Sequence, residues 1–358
     1  MAMMMASPMA TSFVDAAEIE IAGQRRVDGL VFPLVLGPAN GKSDVKDRAE
    51  FVAREREALV GCLRRHGAVV LRGWGGRSES KDFLDVMSAL CKEAHGGMAC
   101  SAGVRLTVVD GGDAASLHSI VTANEAPPCD TIPFHHEMAQ CPKPPAYICF
   151  FCDRPPTTGG ATPLMMSRHV VAYLRATHPD LYARLKDRGV QYTRVMPKLS
   201  DATSALGKGW AVSYDVDDKE GLERRLRDEG FEFTWLVDDM VETVSPTLQC
   251  FRKDATGAEN FFLAAETTFK AATGEETSKG GKPRPSKGIR YGDGASLSPE
   301  DLAALADVGA FVDANKVSFD WQHGDCLLIE NSTAMHARAT FTGPRRILAS
   351  MAGNLAAP

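Results

Sequence analysis

Pro133-Phe134-His135-His136-Glu137-Met138-Ala139-Gln140 places an imidazole and a carboxylate two residues apart, with a second imidazole between them. On an extended strand alternate side chains share a face, so His135 and Glu137 point one way and His136 the other. An imidazole and a carboxylate on one face are two ligands for a divalent metal, and a distant His can supply a third. Two His and one carboxylate with open positions is the donor set of non-haem Fe(II) oxygenases. The same set also serves catalytic zinc.

Of the nine His, His66, His95, His118, His169 and His178 have no acidic or His neighbour at ligand spacing, and His323 sits in a turn before Gly324. His336 differs. It lies on a short expected strand after Ile329-Glu-Asn-Ser-Thr333, and Arg345-Arg346 follow about one hairpin later. Adjacent strands then bring a metal-binding imidazole near a guanidinium. An iron oxygenase of this kind needs an electron donor. A 2-oxo acid can chelate the metal through its keto oxygen and one carboxylate, leaving its far carboxylate for a fixed cation. The planar fork of Arg binds a carboxylate through two parallel hydrogen bonds, and a hydroxyl such as Thr162 can add another. Asn331, just before the His336 strand, is a candidate either to support a ligand or to shape the turn. Asn124 and Glu125 lie in the loop Thr122–Pro128 leading into the opening motif, and are candidate substrate contacts.

These residues need a scaffold of strands. Ser43 to His66 reads as a helix with Phe51, Leu59, Val60 and Leu63 as its apolar stripe and Gly67 as its stop. Further helices are expected over Ser80 to Glu93, over Ser167 to about Lys186 with Ser167 as cap and a break near Pro179, over Lys219 to Glu229, and from Ser298-Pro-Glu-Asp to about Asn315. Strands are expected at Val31–Leu36, Ala68–Leu71, Val104–Val109, Tyr147–Cys152, Val190–Met196, Asp325–Glu330, Ala334–Thr340 and Arg346–Gly353, with a hairpin around Asp254–Gly257. Thr273 to Asp293 is polar and rich in Gly, Lys and Pro, and reads as a long loop or lid. Many short strands with flanking helices suggest one β-rich domain, a sandwich or double-sheet barrel.

Composition sets the outer limits. The 358 residues, 44% apolar and 24% charged, are those of a globular chain able to bury a sizeable core. A net charge of -6 and a pI near 5.9 argue against a nucleic-acid partner, and no run has the length of a membrane span. Residues 1–17 read as a disordered tail without the early positive charge of a targeting signal, with residues 18–358 as the single domain. Nine Cys without a secretory signal fit reduced thiols in the cytoplasm. Cys149-Phe-Phe-Cys152 falls within an expected strand, where positions three apart face opposite sides, so it is a poor chelator. Oligomeric state is not legible.

Five motifs, Phe134-His-His-Glu-Met-Ala-Gln140, Gly159-Gly-Ala-Thr162-Pro163, Gly324-Asp-Cys-Leu-Leu-Ile-Glu-Asn331, His336-Ala-Arg338 and Pro344-Arg-Arg-Ile-Leu348, run in that order. With them the chain resembles the TauD/TfdA family of Fe(II)/2-oxoglutarate dioxygenases, most nearly the plant clavaminate synthase-like proteins, which carry HxE where most of the family has HxD. The resemblance implies a double-stranded β-helix (jelly roll), mainly β with flanking helices. It implies His135, Glu137 and His336 as Fe(II) ligands, and Thr162 and Arg346, the second of the Arg pair, as contacts to 2-oxoglutarate. It further implies O2 as co-reactant and a small-molecule substrate that is hydroxylated, desaturated or cyclised, with release of succinate and CO2. Taurine-using relatives place another Arg four residues beyond the cosubstrate Arg; here that position is Ser350. Two other readings stay open: a zinc hydrolase on the same three residues, and a non-catalytic jelly-roll binding protein.

Overall fold

Two β-sheets face each other, and the strands bearing the metal-ligand candidates belong to the smaller one. A computed structural model of the chain describes residues 13, 15–39, 45–74, 80–91, 93–94, 107–109, 120–123, 126–200, 208–263, 278–279, 282–283 and 286–354. The larger sheet has nine strands. At its centre Tyr147–Arg154 pairs antiparallel with Cys326–Glu330 on one side and with Arg346–Asn354 on the other. Ala68–Leu71 extends the Cys326–Glu330 side, followed by Leu34–Pro38 and Ala16–Glu18. Ile120–Thr122 and Thr107–Val109 extend the other. The smaller sheet has three strands, with Ala334–Arg338 between Leu164–Met166 and Ile132–His135.

Alternation along the central strands sorts their side chains into two layers. Ile148, Phe150, Cys152, Leu327, Ile329, Ile347 and Ala349 point inward and meet Leu164, Met166 and Ala334 of the small sheet. Cys149, Phe151, Leu328 and Leu348 point outward and are covered by the helices Val45–Arg54, Arg56–His66 and Ser80–Leu90 through Phe51, Leu63 and Phe83. With both faces buried over residues 147–152, Tyr147–Arg154 is apolar there rather than alternating, and ends in the charged Asp153 and Arg154. Cys149 and Cys152 fall in different layers, as their spacing on a strand requires. Met165, Met335 and Ala337 on the far face of the small sheet pack against the helices Ser167–Thr177, Pro179–Arg188 and Pro299–Asn315. The result is four layers, helix–sheet–sheet–helix, with an apolar interior between the two sheets.

Several local expectations shift. The first helix is two, broken at Glu55. Ser167 is the first residue of its helix rather than its cap, and its hydroxyl faces His136 instead. The polar stretch 273–293 is not all loop: Ser286–Tyr291 forms a strand on Val190–Met196, in a separate sheet with Val241–Val244 and Glu232–Trp235. The expected tail 1–17 already carries structure at its end. Phe13 packs on Phe51 with ring centroids 5.6 Å apart, Asp15 pairs with Arg54, and Ala16–Glu18 is a strand. Ser298 does cap its helix, in a reciprocal box with Asp301. Among the described residues no helix is long and apolar enough to cross a membrane.

Candidate active site

His135 and His336 face each other across neighbouring strands in register, with ring centroids 4.4 Å apart. His135 ends its strand. The extension of that strand through Glu137, expected from the two-residue spacing, does not occur. Glu137 sits in a turn, and Met138 adopts a left-handed φ of 54°. The turn has a visible cause in Asn331. Its Oδ1 accepts from the Glu137 N–H at 2.7 Å, and its Nδ2 donates to the carbonyls of Glu137 at 2.9 Å and Pro145 at 2.8 Å. The Asn331 side chain is wholly buried. The turn still delivers the carboxylate: donor atoms of His135, Glu137 and His336 all lie within 4.8 Å of one another, and Glu137 Oε2 is 3.8 Å from His336 Nε2.

The three groups fit a metal. Ligand bonds of about 2.0–2.2 Å leave two donors on one ion roughly 3–4 Å apart, so a small contraction closes the site. His135 Nδ1 lies 2.8 Å from the Pro133 carbonyl, which only accepts, so that nitrogen carries the proton and Nε2 keeps its lone pair for the ion. Glu137 and His336 are buried and His135 half-buried, with the Phe150 ring 5.2 Å from His336. His136 turns to the other side. Its Nε2 is 2.7 Å from Ser167 Oγ, its Nδ1 lies against the Leu263 backbone, and its ring is 4.5 Å from Phe262. Burial pushes its pKa down to about 3, so it is a neutral packing residue.

A cleft of about 430 Å³, counted to its mouth, opens over His135 and His336, and the Glu137 carboxylate clusters with their ring nitrogens. Ile132, His135, Phe150, Thr162, His336 and Arg345 line it. The expected hydroxyl is therefore in place: Thr162 is buried and accepts a hydrogen bond from Trp321 Nε1 at 3.2 Å. The expected guanidinium is not. Arg346 lies on the outward-facing side, with its side chain 47% exposed, and pairs with Asp153 at 3.1 Å. Its neighbour Arg345 shares the inward face of Ile347 and Ala349 and reaches the cleft. Arg345 Nε donates to the Gly160 carbonyl at 2.9 Å, and its guanidinium carbon lies 5.4 Å from the Phe341 ring.

Gly159 and Gly160 make room for this. Both have φ near +67°, which disfavours any side chain. A Cβ on Gly160 would come within 2.8 Å of Pro156 and 3.0 Å of Arg345 Cδ. Arg338 also lines the cleft but does another job. Its guanidinium donates to the carbonyls of Ala126, Pro127 and Asp130 at 2.7–2.8 Å and so ties down the loop entering the His135 strand. Neither Arg345 nor Arg338 was singled out from the sequence, although counting alternate residues back from Ile347 points to the first. Asn124 and Glu125, the candidate substrate contacts, lie outside the described residues.

A family model described as taurine catabolism dioxygenase TauD, TfdA family, matches residues 32–351. The chain belongs to the TauD/TfdA family. A clavaminate synthase-like protein of Arabidopsis thaliana is 31% identical over 343 residues, covering 93% of this chain and 97% of that protein. The dapdiamide synthesis protein DdaC of Enterobacter agglomerans is 23% identical over 297 residues, covering 80% and 82%. Among solved structures, PvcB of Pseudomonas aeruginosa is similar with a TM-score of 0.52 at 14% identity, over 97% of this chain and 94% of that one. AAD-2, solved with Mn(II) and N-oxalylglycine, has a TM-score of 0.51 at 13% identity, over 95% and 98%. This member of the TauD/TfdA family is an Fe(II)- and 2-oxoglutarate-dependent dioxygenase, an oxidoreductase that uses O2.

Proposed function

We propose that the cleft is the reaction site, with His135, Glu137 and His336 holding Fe(II), and Thr162 with Arg345 holding the far carboxylate of 2-oxoglutarate. The observation that carries this reading is the placement of Thr162 and Arg345 on the same cleft as His135 and His336, which cluster with Glu137. Bound Fe(II), with 2-oxoglutarate and O2, supplies the oxidant that takes hydrogen from a substrate C–H bond while 2-oxoglutarate becomes succinate and CO2. The chain's own part is positional. The Pro133 carbonyl orients His135, Asn331 orients Glu137, and the Gly160 carbonyl orients Arg345. Phe150 and Ile132 give the cleft apolar walls, which favour exclusion of water.

The surrounding sheets are read as a distorted double-stranded β-helix, and residues 18–358 as one domain acting on a small molecule. A cytoplasmic setting fits the cysteines, all free thiols among the described residues. Neither Ala349 nor Ser350, four residues beyond Arg345 and Arg346, is basic. A sulfonate like that of taurine therefore lacks its expected partner here.

The test is succinate release from 2-oxoglutarate by Fe(II)-loaded protein without added substrate. His135→Ala and Glu137→Ala are expected to abolish it. Arg345→Ala is expected to raise KM for 2-oxoglutarate by more than about tenfold, while Arg346→Ala changes it less than about twofold. The reverse ranking would return the anchor to Arg346, and turnover in either ligand variant would overturn the metal assignment.

A further inference from the structure

The cleft's hydroxyl is set in place by a residue that does not itself line the cleft. Trp321 Nε1 is 3.2 Å from Thr162 Oγ1, and Trp321 is 5% exposed. An indole nitrogen only donates, whereas a threonine hydroxyl has one hydrogen to give and two lone pairs to receive. With the indole filling a lone pair, the hydroxyl's own hydrogen is left to find an acceptor. Among the described residues it makes no hydrogen bond of its own to an acceptor, and Thr162 opens on the cleft. We infer that Trp321 is a positioning residue: its N–H turns the Thr162 hydroxyl into a donor aimed at the far carboxylate of 2-oxoglutarate. This rests on the cosubstrate site proposed above.

The surroundings hold the indole in place. Val317 and Leu164 bridge through two backbone hydrogen bonds of 2.8 Å, laying the segment before Trp321 alongside the one after Thr162. Phe319 meets the Trp321 ring edge-on at 5.4 Å. On either side of Trp321, Arg72 clamps the turn. It donates to the Asp320 carbonyl at 2.8 Å and grips both Asp325 oxygens at 3.0 and 2.6 Å, while Asp325 accepts from the Gln322 N–H at 2.8 Å. The indole is thus fixed on both sides of Trp321 by contacts that do not involve the cleft. A donated hydrogen bond also polarises the hydroxyl it reaches, which strengthens the bond that hydroxyl makes onward.

The experiment compares two ligands on Mn(II)-loaded protein by calorimetry: 2-oxoglutarate, and pyruvate, which has the 2-oxo acid end but no far carboxylate. Trp321→Phe keeps an aromatic ring against Phe319 and removes the donor. It is expected to weaken 2-oxoglutarate about 10-fold and leave pyruvate within about twofold. Thr162→Val is expected to give a similar selective loss, and the double variant to lose no more than Thr162→Val alone. Biosynthetic replacement of tryptophan by benzothienylalanine, which exchanges the N–H for sulfur at nearly constant shape, serves if Trp321→Phe does not fold, and is expected to show the same selective loss. Unchanged 2-oxoglutarate affinity without the N–H would overturn the inference, as would an equal loss for both ligands, which marks a purely structural role. If the unaltered protein itself binds 2-oxoglutarate no better than pyruvate, the cosubstrate site has failed, and the inference falls with it.

Discussion

Glu137 reaches the metal site because one amide side chain holds both of its backbone polar groups. Asn331 is suited to this because it can accept from an N–H and donate to two carbonyls at once. Asn331→Asp keeps the shape and the acceptor but leaves two buried carbonyls without donors, so the turn that presents the carboxylate loosens. Metal affinity is expected to fall about 10- to 100-fold, the usual scale for a residue that orients a ligand. Titration of Mn(II) into the variant reads this directly, and an unaltered dissociation constant would remove Asn331 from the site. The same scale explains one failure of sequence reading. Residue types pointed to His135, Glu137 and His336, and the fold brings their donor atoms together. They pointed to Arg346, whereas the guanidinium that reaches the cleft is that of Arg345. Arg345 and Arg346 differ only in the sheet face they take, and the register beside them shifts between Cys152 and Arg154. Such a shift follows from pairing with a distant strand, which local sequence does not encode.

Strands and turns carry the next level. Apolar strands such as Tyr147–Arg154 and Cys326–Glu330 were legible because burial on both faces leaves a continuous hydrophobic run. Ser286–Tyr291 was not. It contains Lys287, Gly288 and Arg290, so no hydrophobic run marks it in the sequence, and it lies at the edge of its sheet. The Gly159-Gly160 turn was legible as a motif, and the structure supplies its reason: both residues have a left-handed φ, and a Cβ on Gly160 would crowd Pro156, Arg345 and Phe341. Gly160→Ala is therefore expected to displace Arg345 and raise KM for 2-oxoglutarate about 10-fold or more, with the metal still bound. It is also expected to lower stability by about 1–3 kcal/mol, since a residue with a side chain is strained at that φ. Steady-state kinetics with varied 2-oxoglutarate separates the two effects, and a normal KM would show that Arg345 can adjust.

At the scale of the molecule, the central sheet joins chain ends that sequence separates widely, and it buries charges to do so. Glu330 ends the strand Cys326–Glu330, only 7% exposed. Burial, reinforced by Asp254, raises its pKa from 4.5 to about 7, against smaller lowering effects of Thr333 and Arg64. A carboxyl group raised in this way holds its proton in the fold at pH values where the unfolded chain has released it. Between about pH 4.5 and 7 the native state therefore binds more protons, and stability falls as pH rises through that window, then levels off above it. A shift of this size corresponds to at most about 3 kcal/mol. Glu330→Gln keeps the shape without a charge to bury, so it is expected to match the parent protein in urea unfolding at pH 5 and to exceed it at pH 8. The difference between the two proteins isolates Glu330 from other groups, such as Asp325, whose pKa burial also raises. A constant gap across that range would mean that Glu330 ionises in the fold as freely as it does in the unfolded chain.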